Sequence, residues 1–162
     1  MRVERPTLGE QLGFLLRGRV VVIGVGDCCR GDDAVGPVVV GMLAASGVDS
    51  VIDAGTSPEI ETWRVRELRP DTVLFVDAVD LGAAPGDAAI LEPTDLRSTG
   101  FDTHRAPLKL TMDYLERELG CSCRLLAVQP RDVRQDAPMC EEVRRTAEDL
   151  ARILADALKK PL

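Results

Sequence analysis

Short, β-branched apolar runs that alternate with helix-period segments constrain this chain more than any other feature. Val20-Val21-Val22-Ile23 ends at Gly24, and Thr72-Val73-Leu74-Phe75-Val76 is followed at once by Asp77. Runs this short, apolar throughout and rich in valine, read as strands buried on both faces, as in a parallel sheet. Val48 to Asp53 and Arg124 to Val128 read as further strands, and Asp87 to Leu91, approached through Pro85-Gly86, as a weaker one. Between the strands, Asp32 is placed to N-cap a helix that carries Val35, Val38, Val39 and Met42 to about Ser46, where Gly47 stops it. Pro58 to Glu67 reads as a helix with Pro58 in its first turn, where a missing N–H costs nothing. Leu108, Met112, Leu115 and Leu119 lie on one helical face, and Val143, Ala147, Leu150 and Leu154 repeat that spacing in a long C-terminal helix. Such alternation predicts βαβ units: an α/β fold with a mainly parallel sheet and helices on both faces.

The 162 residues suit one domain, assigned to 19–162. Residues 1–18 read as an N-terminal appendage, in which Thr7-x-x-Glu10 has the pattern of a capping box. A formal net charge of −7 lacks the basic excess that neutralises a phosphate backbone, so nucleic acid is not expected as a partner. No apolar run approaches the roughly 20 residues that cross a bilayer, so no membrane insertion is expected. Met1-Arg2-Val3-Glu4-Arg5-Pro6 lacks the apolar stretch of a signal peptide, and a cytoplasmic location is expected. The five cysteines are expected to be reduced and mostly packed as small hydrophobes. Neither the adjacent Cys28 and Cys29 nor the pair Cys121 and Cys123 has zinc-knuckle spacing, although the latter two, on one face of a strand, are in principle able to chelate.

In an open parallel sheet ligands collect beyond the carboxyl ends of the strands, where strand order reverses. Acids dominate these positions: Asp27, Asp32 and Asp33 after the first strand, Asp53 after the second, Asp77 and Asp80 after the third. Gly24-x-Gly26 invites a dinucleotide-binding reading, with Asp53 as the ribose-binding acid. The third glycine of that fingerprint falls at Cys29, however, and Asp27, Asp32 and Asp33 crowd the helix start where a pyrophosphate would sit, against a single Arg30. Carboxylates gathered at a strand edge suit a cation better. Asp33, Asp77 and His104, the only histidine, make a plausible open site for a first-row divalent metal. Each also has a purely structural reading: Asp33 favouring a helix dipole, Asp77 satisfying loop amides, His104 a surface residue.

Gly24-Val25-Gly26-Asp27 followed by Gly31-Asp32-Asp33-Ala34-Val35-Gly36 resembles the opening signature of the hydrogenase maturation endopeptidases. Asp53-Ala54-Gly55-Thr56 is similar to their second motif and Val76-Asp77-Ala78-Val79-Asp80 to their third. Thr103-His104 before an amphipathic helix and Val128-Gln129-Pro130 after the last strand match the fourth and fifth. The resemblance runs from about Val20 to Leu158, and five motifs in order make it specific. Two departures stand out: Asp27 where the family usually has Asn, which adds a negative charge beside the site, and Ala34 where Gly is common.

The resemblance implies a three-layer α/β/α sandwich around a five-stranded, mainly parallel mixed sheet, with Asp87–Leu91 as the antiparallel strand. It implies an endopeptidase that removes a C-terminal extension from the large-subunit precursor of a nickel-iron hydrogenase after nickel insertion. It also implies Asp33, Asp77 and His104 as metal ligands. Asp33 and Asp77 are then the candidate catalytic acids, while Asp27, Asp53, Gly55 and Thr56 are expected on the substrate side of the crevice. No tightly bound cofactor of the chain's own is expected. The nickel is carried by the substrate, with zinc or cadmium able to substitute in vitro. Activation of water falls to Asp33 or Asp77 as general base, or to the metal acting on the carbonyl or the water. Two other readings are a non-catalytic checkpoint or chaperone that binds the nickel-loaded subunit, and an autonomous metallohydrolase that holds its own metal.

Overall fold

A computed structural model describes residues 4–96 and 106–159. In chain order the elements are α1 (Leu8–Leu15), β1 (Val20–Gly24), α2 (Val35–Ala45), β2 (Val51–Asp53), α3 (Thr62–Leu68), β3 (Thr72–Ala78), β4 (Ala88–Leu91), α4 (Ala106–Leu119), β5 (Ser122–Val128) and α5 (Glu141–Leu158). Tight 3-10 turns over Gly31–Ala34 and Pro58–Glu61 lead into α2 and α3, and a third spans Pro93–Asp95. The strands form one sheet in the order β2-β1-β3-β5-β4. β1 pairs in parallel with β2 and β3, and β3 with β5, while β4 runs antiparallel to β5.

The two-residue period of the strands divides the core between the sheet's faces. Val20 and Val22 of β1, Leu74 and Val76 of β3, and Leu126 and Val128 of β5 pack on one side with Val35, Val39 and Leu43 of α2 and Val143, Leu150 and Leu154 of α5. Val21, Ile23, Val73, Phe75, Leu125 and Ala127 pack on the other with Val65 of α3 and Leu108, Met112 and Leu115 of α4. The result is a three-layer α/β/α sandwich. Among the described residues, no helix is long and apolar enough to cross a membrane. Leu12 of α1 is fully buried in the first of these clusters, and the Thr7–Glu10 capping box closes both ways, with N–H to oxygen distances of 2.7 and 3.2 Å.

Three local expectations are corrected. Asp32 does not N-cap α2: it lies inside the 31–34 turn, and Ala34 precedes the helix without a side-chain cap. Strand β2 begins at Val51 rather than Val48, because the Val48 N–H turns back to the Leu43 carbonyl at 3.0 Å and closes α2 instead of joining the sheet. The cysteines divide by position. Cys121 and Cys123 are buried beneath α4 and Cys140 is half-buried, but Cys28 and Cys29 are exposed rather than packed.

Glycine is needed where the first loop meets the sheet. A Cβ on Gly36 would run into the Val25 and Val76 carbonyls, and one on Gly24 into the Gly36 carbonyl. Both obstacles are backbone and cannot rotate aside. Gly36→Ala is therefore expected to lower unfolding free energy by about 3 kcal/mol, the upper part of the range for overpacking, measurable by urea denaturation.

Candidate functional site: the carboxylate crevice beyond β1 and β3

The sheet's strand order reverses between β1 and β3, since β1 leads outward to β2 and β3 leads the other way to β5. A crevice at the carboxyl ends of these two strands is the expected ligand site of such a sheet. Its walls are tied together by backbone. The Val25 N–H donates to the Val76 carbonyl at 2.9 Å, Ala54 N–H to Gly24 at 2.9 Å, and Gly26 N–H to Gly55 at 2.8 Å. The loops after β1, β2 and β3 thus form one rim.

Asp33 stands half-buried in the 31–34 turn, and its Oδ2 accepts the Asp27 N–H at 2.7 Å. Three residues on, Gly36 lies against the Val76 carbonyl, and the next residue along β3 is Asp77. Asp77 is buried, 8% exposed, and pairs in register with Ala127 of β5. Ala127 and Phe75 both belong to the α3/α4 face, so strand alternation assigns Asp77 to that face. Helix α4 packs on the same face and begins at Ala106. The third member of the expected trio, His104, lies outside the described residues, two positions before α4. The structure thus brings Asp33 and Asp77 to one end of the sheet.

Asp53 and Asp27 use their carboxylates locally as well. Asp53 Oδ1 accepts the Gly55 N–H at 3.0 Å, and Asp27 Oδ1 accepts the Cys29 N–H at 2.8 Å. Gly55 has a φ of 54°, a left-handed conformation that glycine adopts without cost, and its carbonyl receives the Gly26 N–H. Thr56 is exposed beside it. Arg30, the cation of the first loop, is committed to the Val133 carbonyl through Nε at 3.1 Å. Carboxylates therefore set the electrostatics of the rim, and a cation is the ligand they favour.

Two residues carry more of the site's architecture than their sequence context suggests. Asp32 is fully buried: its Oδ2 accepts the N–H groups of Arg131 and Asp132 at 2.7 and 3.0 Å, and its Oδ1 that of Cys140 at 2.7 Å. Burial alone would raise its pKa, but the three backbone donors outweigh it and hold the carboxyl below its ordinary range. In return the Asp32 N–H donates to the Asp132 carbonyl at 2.9 Å, so the turn that presents Asp33 is clamped to the segment between β5 and α5. Gln129, just after β5, does the same for the segment after β3. Its Oε1 accepts Leu81 and Ala83 N–H at 2.6 and 3.3 Å, and its Nε2 donates to Asp80 Oδ1 at 3.3 Å. Gln129 lies in the fifth motif, which supplied the only sequence signal for it.

Comparison with known proteins identifies the family. The family described as hydrogenase maturation protease matches residues 41–157. The hydrogenase 3 maturation protease of Escherichia coli (strain K12) is 36% identical over 131 residues, covering 79% of this chain and 83% of its own. The crystal structure of a [NiFe] hydrogenase maturation protease from Thermococcus kodakarensis KOD1 superposes with a TM-score of 0.86 at 30% identity, over 93% of this chain and 99% of that one. The solution structure of an endopeptidase from Escherichia coli gives a TM-score of 0.74 at 32% identity, over 83% and 88% of the two chains. With a fold and a sequence in common with these enzymes, the chain belongs to the hydrogenase maturation protease family, a group of endopeptidases.

Proposed function

We propose that this protease cuts the large-subunit precursor of a nickel-iron hydrogenase in the cytoplasm, removing a C-terminal extension once nickel has been inserted. What supports the reading is the convergence of Asp33 and Asp77 at the sheet's switch point, in a chain of this family, on a rim dominated by carboxylates. Asp33, Asp77 and His104 engage the nickel that the precursor already carries. Two carboxylates and one imidazole leave coordination positions for the precursor's own ligands, so the metal identifies a loaded substrate and draws the scissile peptide into the crevice. Asp27, Asp53, Gly55 and Thr56, along the rim, contact the incoming chain. For hydrolysis, Asp33 or Asp77 takes a proton from water as its oxygen adds to the scissile carbonyl carbon. The C–N bond then breaks and the proton passes to the leaving amine. The protein holds no tightly bound metal for this step.

Incubation with nickel-loaded precursor tests the proposal on a denaturing gel. The expected result is a shift of the large subunit to smaller size, with the metal-free precursor left uncut. Co-elution of the two proteins without a size shift would instead identify a non-catalytic checkpoint. Cleavage regardless of nickel would remove the metal from recognition.

A further inference from the structure

The first loop carries a feature that the peptidase reading leaves unused: two adjacent cysteines, both exposed, next to an acid. Free cysteine is among the most buried of residues when its role is packing, and where it is not buried its reactivity or ligation decides its use. Cys121 and Cys123 follow the first pattern, and Cys28 and Cys29 the second.

We propose that Asp27, Cys28 and Cys29 form a binding site for a thiophilic divalent cation of the zinc(II) or cadmium(II) type, on the rim beside the Asp33–Asp77 crevice. One ligand atom from each residue lies within 4.8 Å of the other two. The two sulfurs are 3.9 Å apart. Metal–sulfur bonds of about 2.3 Å at a tetrahedral angle set two thiolates about 3.8 Å apart, so the pair already stands at the spacing one ion requires. Adjacent side chains seldom point the same way in extended or helical backbone. Here the loop is fixed in a conformation that makes them do so. The Arg30 N–H donates to the Asp27 carbonyl at 3.2 Å, the Cys29 carbonyl accepts the Asp136 N–H at 2.7 Å, and the Asp27 N–H is held by Asp33.

Binding needs no redox partner. The ion displaces the two thiol protons to solvent and coordinates two thiolates and the Asp27 carboxylate, leaving its fourth position to water or to a donor from a bound protein. Asp27 keeps its role in the loop, because a carboxylate has lone pairs enough to accept the Cys29 N–H and bind a metal together. Two sulfur ligands select soft and borderline cations over magnesium or calcium. The site does not depend on the peptidase reading, since it requires neither nickel-loaded precursor nor cleavage.

Cadmium chloride titrated into the full-length reduced protein tests it, followed by the ultraviolet thiolate-to-cadmium charge-transfer band. One equivalent is expected to raise the band to saturation. Cys28→Ser and Cys29→Ser are each expected to weaken cadmium binding at least tenfold, and the double variant to abolish the band. Both side chains are exposed, and circular dichroism verifies that the fold is kept. Asp27→Asn is expected to weaken binding several-fold while the band persists. Asp77→Asn should leave band and affinity unchanged, because no sulfur is involved at that position. No band in the wild-type protein overturns the proposal. A band that survives in the double variant overturns it too, by moving the thiolates to Cys121, Cys123 or Cys140. So does a band that disappears with Asp77→Asn.

Discussion

Asp77→Asn is expected to stop processing of the nickel-loaded precursor, lowering the cleavage rate on the order of 10³-fold, while the protein stays folded. Asparagine has nearly the shape of aspartate but is neutral and carries an amide nitrogen in place of one oxygen. The β3–β5 ladder is made by backbone groups and does not use the side chain: Asp77 sits in register with Ala127, and the pairing continues through Ala78 to Val128. What the variant removes is one of the two acids at the switch point, and with it the ligand charge and the candidate base that the proposed function assigns to Asp77. General-base contributions alone amount to about 10²–10⁴-fold, and loss of metal recognition adds to them. Single-turnover cleavage on a gel, with circular dichroism and a thermal midpoint as controls, decides the matter. A variant that cuts at the normal rate takes Asp77 out of the chemistry. One that has lost its thermal midpoint speaks only to folding, and Asp77→Glu, which keeps the charge, then serves as the second test: a folded Asp77→Glu protein with no partial activity also counts against the role.

How much of this was legible in the sequence follows from the range of the interactions concerned. The strands were plain, because Val20–Ile23 and Thr72–Val76 must be apolar at every position when helices cover both faces of the sheet. Helix α5 was plain for the complementary reason, with its apolar stripe at Val143, Ala147, Leu150 and Leu154 facing α2 and the sheet. The antiparallel course of β4 came from the family resemblance alone, since neither composition nor period distinguishes strand direction. The carboxylate rim was legible as residues following strands, but Asp32 was not. A fully buried aspartate at the head of a helix looks, in sequence, like an N-cap, whereas its partners lie 99, 100 and 108 positions away. No local pattern encodes contacts of that separation. The exposed pair Cys28 and Cys29 escaped for a related reason: the usual burial of free cysteine gave the expectation, and only the conformation of the loop brings both sulfurs to one side.

Because Asp32 clamps the turn that carries Asp33, Asp32→Ala is expected to lower stability by about 3 kcal/mol at neutral pH and to impair cleavage along with it. The substitution leaves the N–H groups of Arg131, Asp132 and Cys140 facing a space without an acceptor, and each unsatisfied buried donor costs about 1–3 kcal/mol before relaxation and water entry reduce the sum. For a chain of this length that corresponds to a midpoint lower by roughly 6–12 °C. Asp32→Asn offers no rescue, since its amide nitrogen must face at least one of the three donors. The effect has a defined pH dependence. The folded-state pKa of Asp32 lies below its unfolded value, so the native state binds fewer protons there. Its stabilising contribution is fully present above the unfolded pKa, about 4, and is lost as pH falls through the lowered folded value. The wild-type advantage over Asp32→Ala should therefore be constant from about pH 7 to pH 5 and shrink in stronger acid. Asp132, whose carboxyl Arg134 holds down to about 2, is half-buried and present in both proteins. Urea unfolding at several pH values reads the curve directly. Equal stability of the two proteins at neutral pH, or a gap that widens in acid, would mean that Asp32 does not hold the turn.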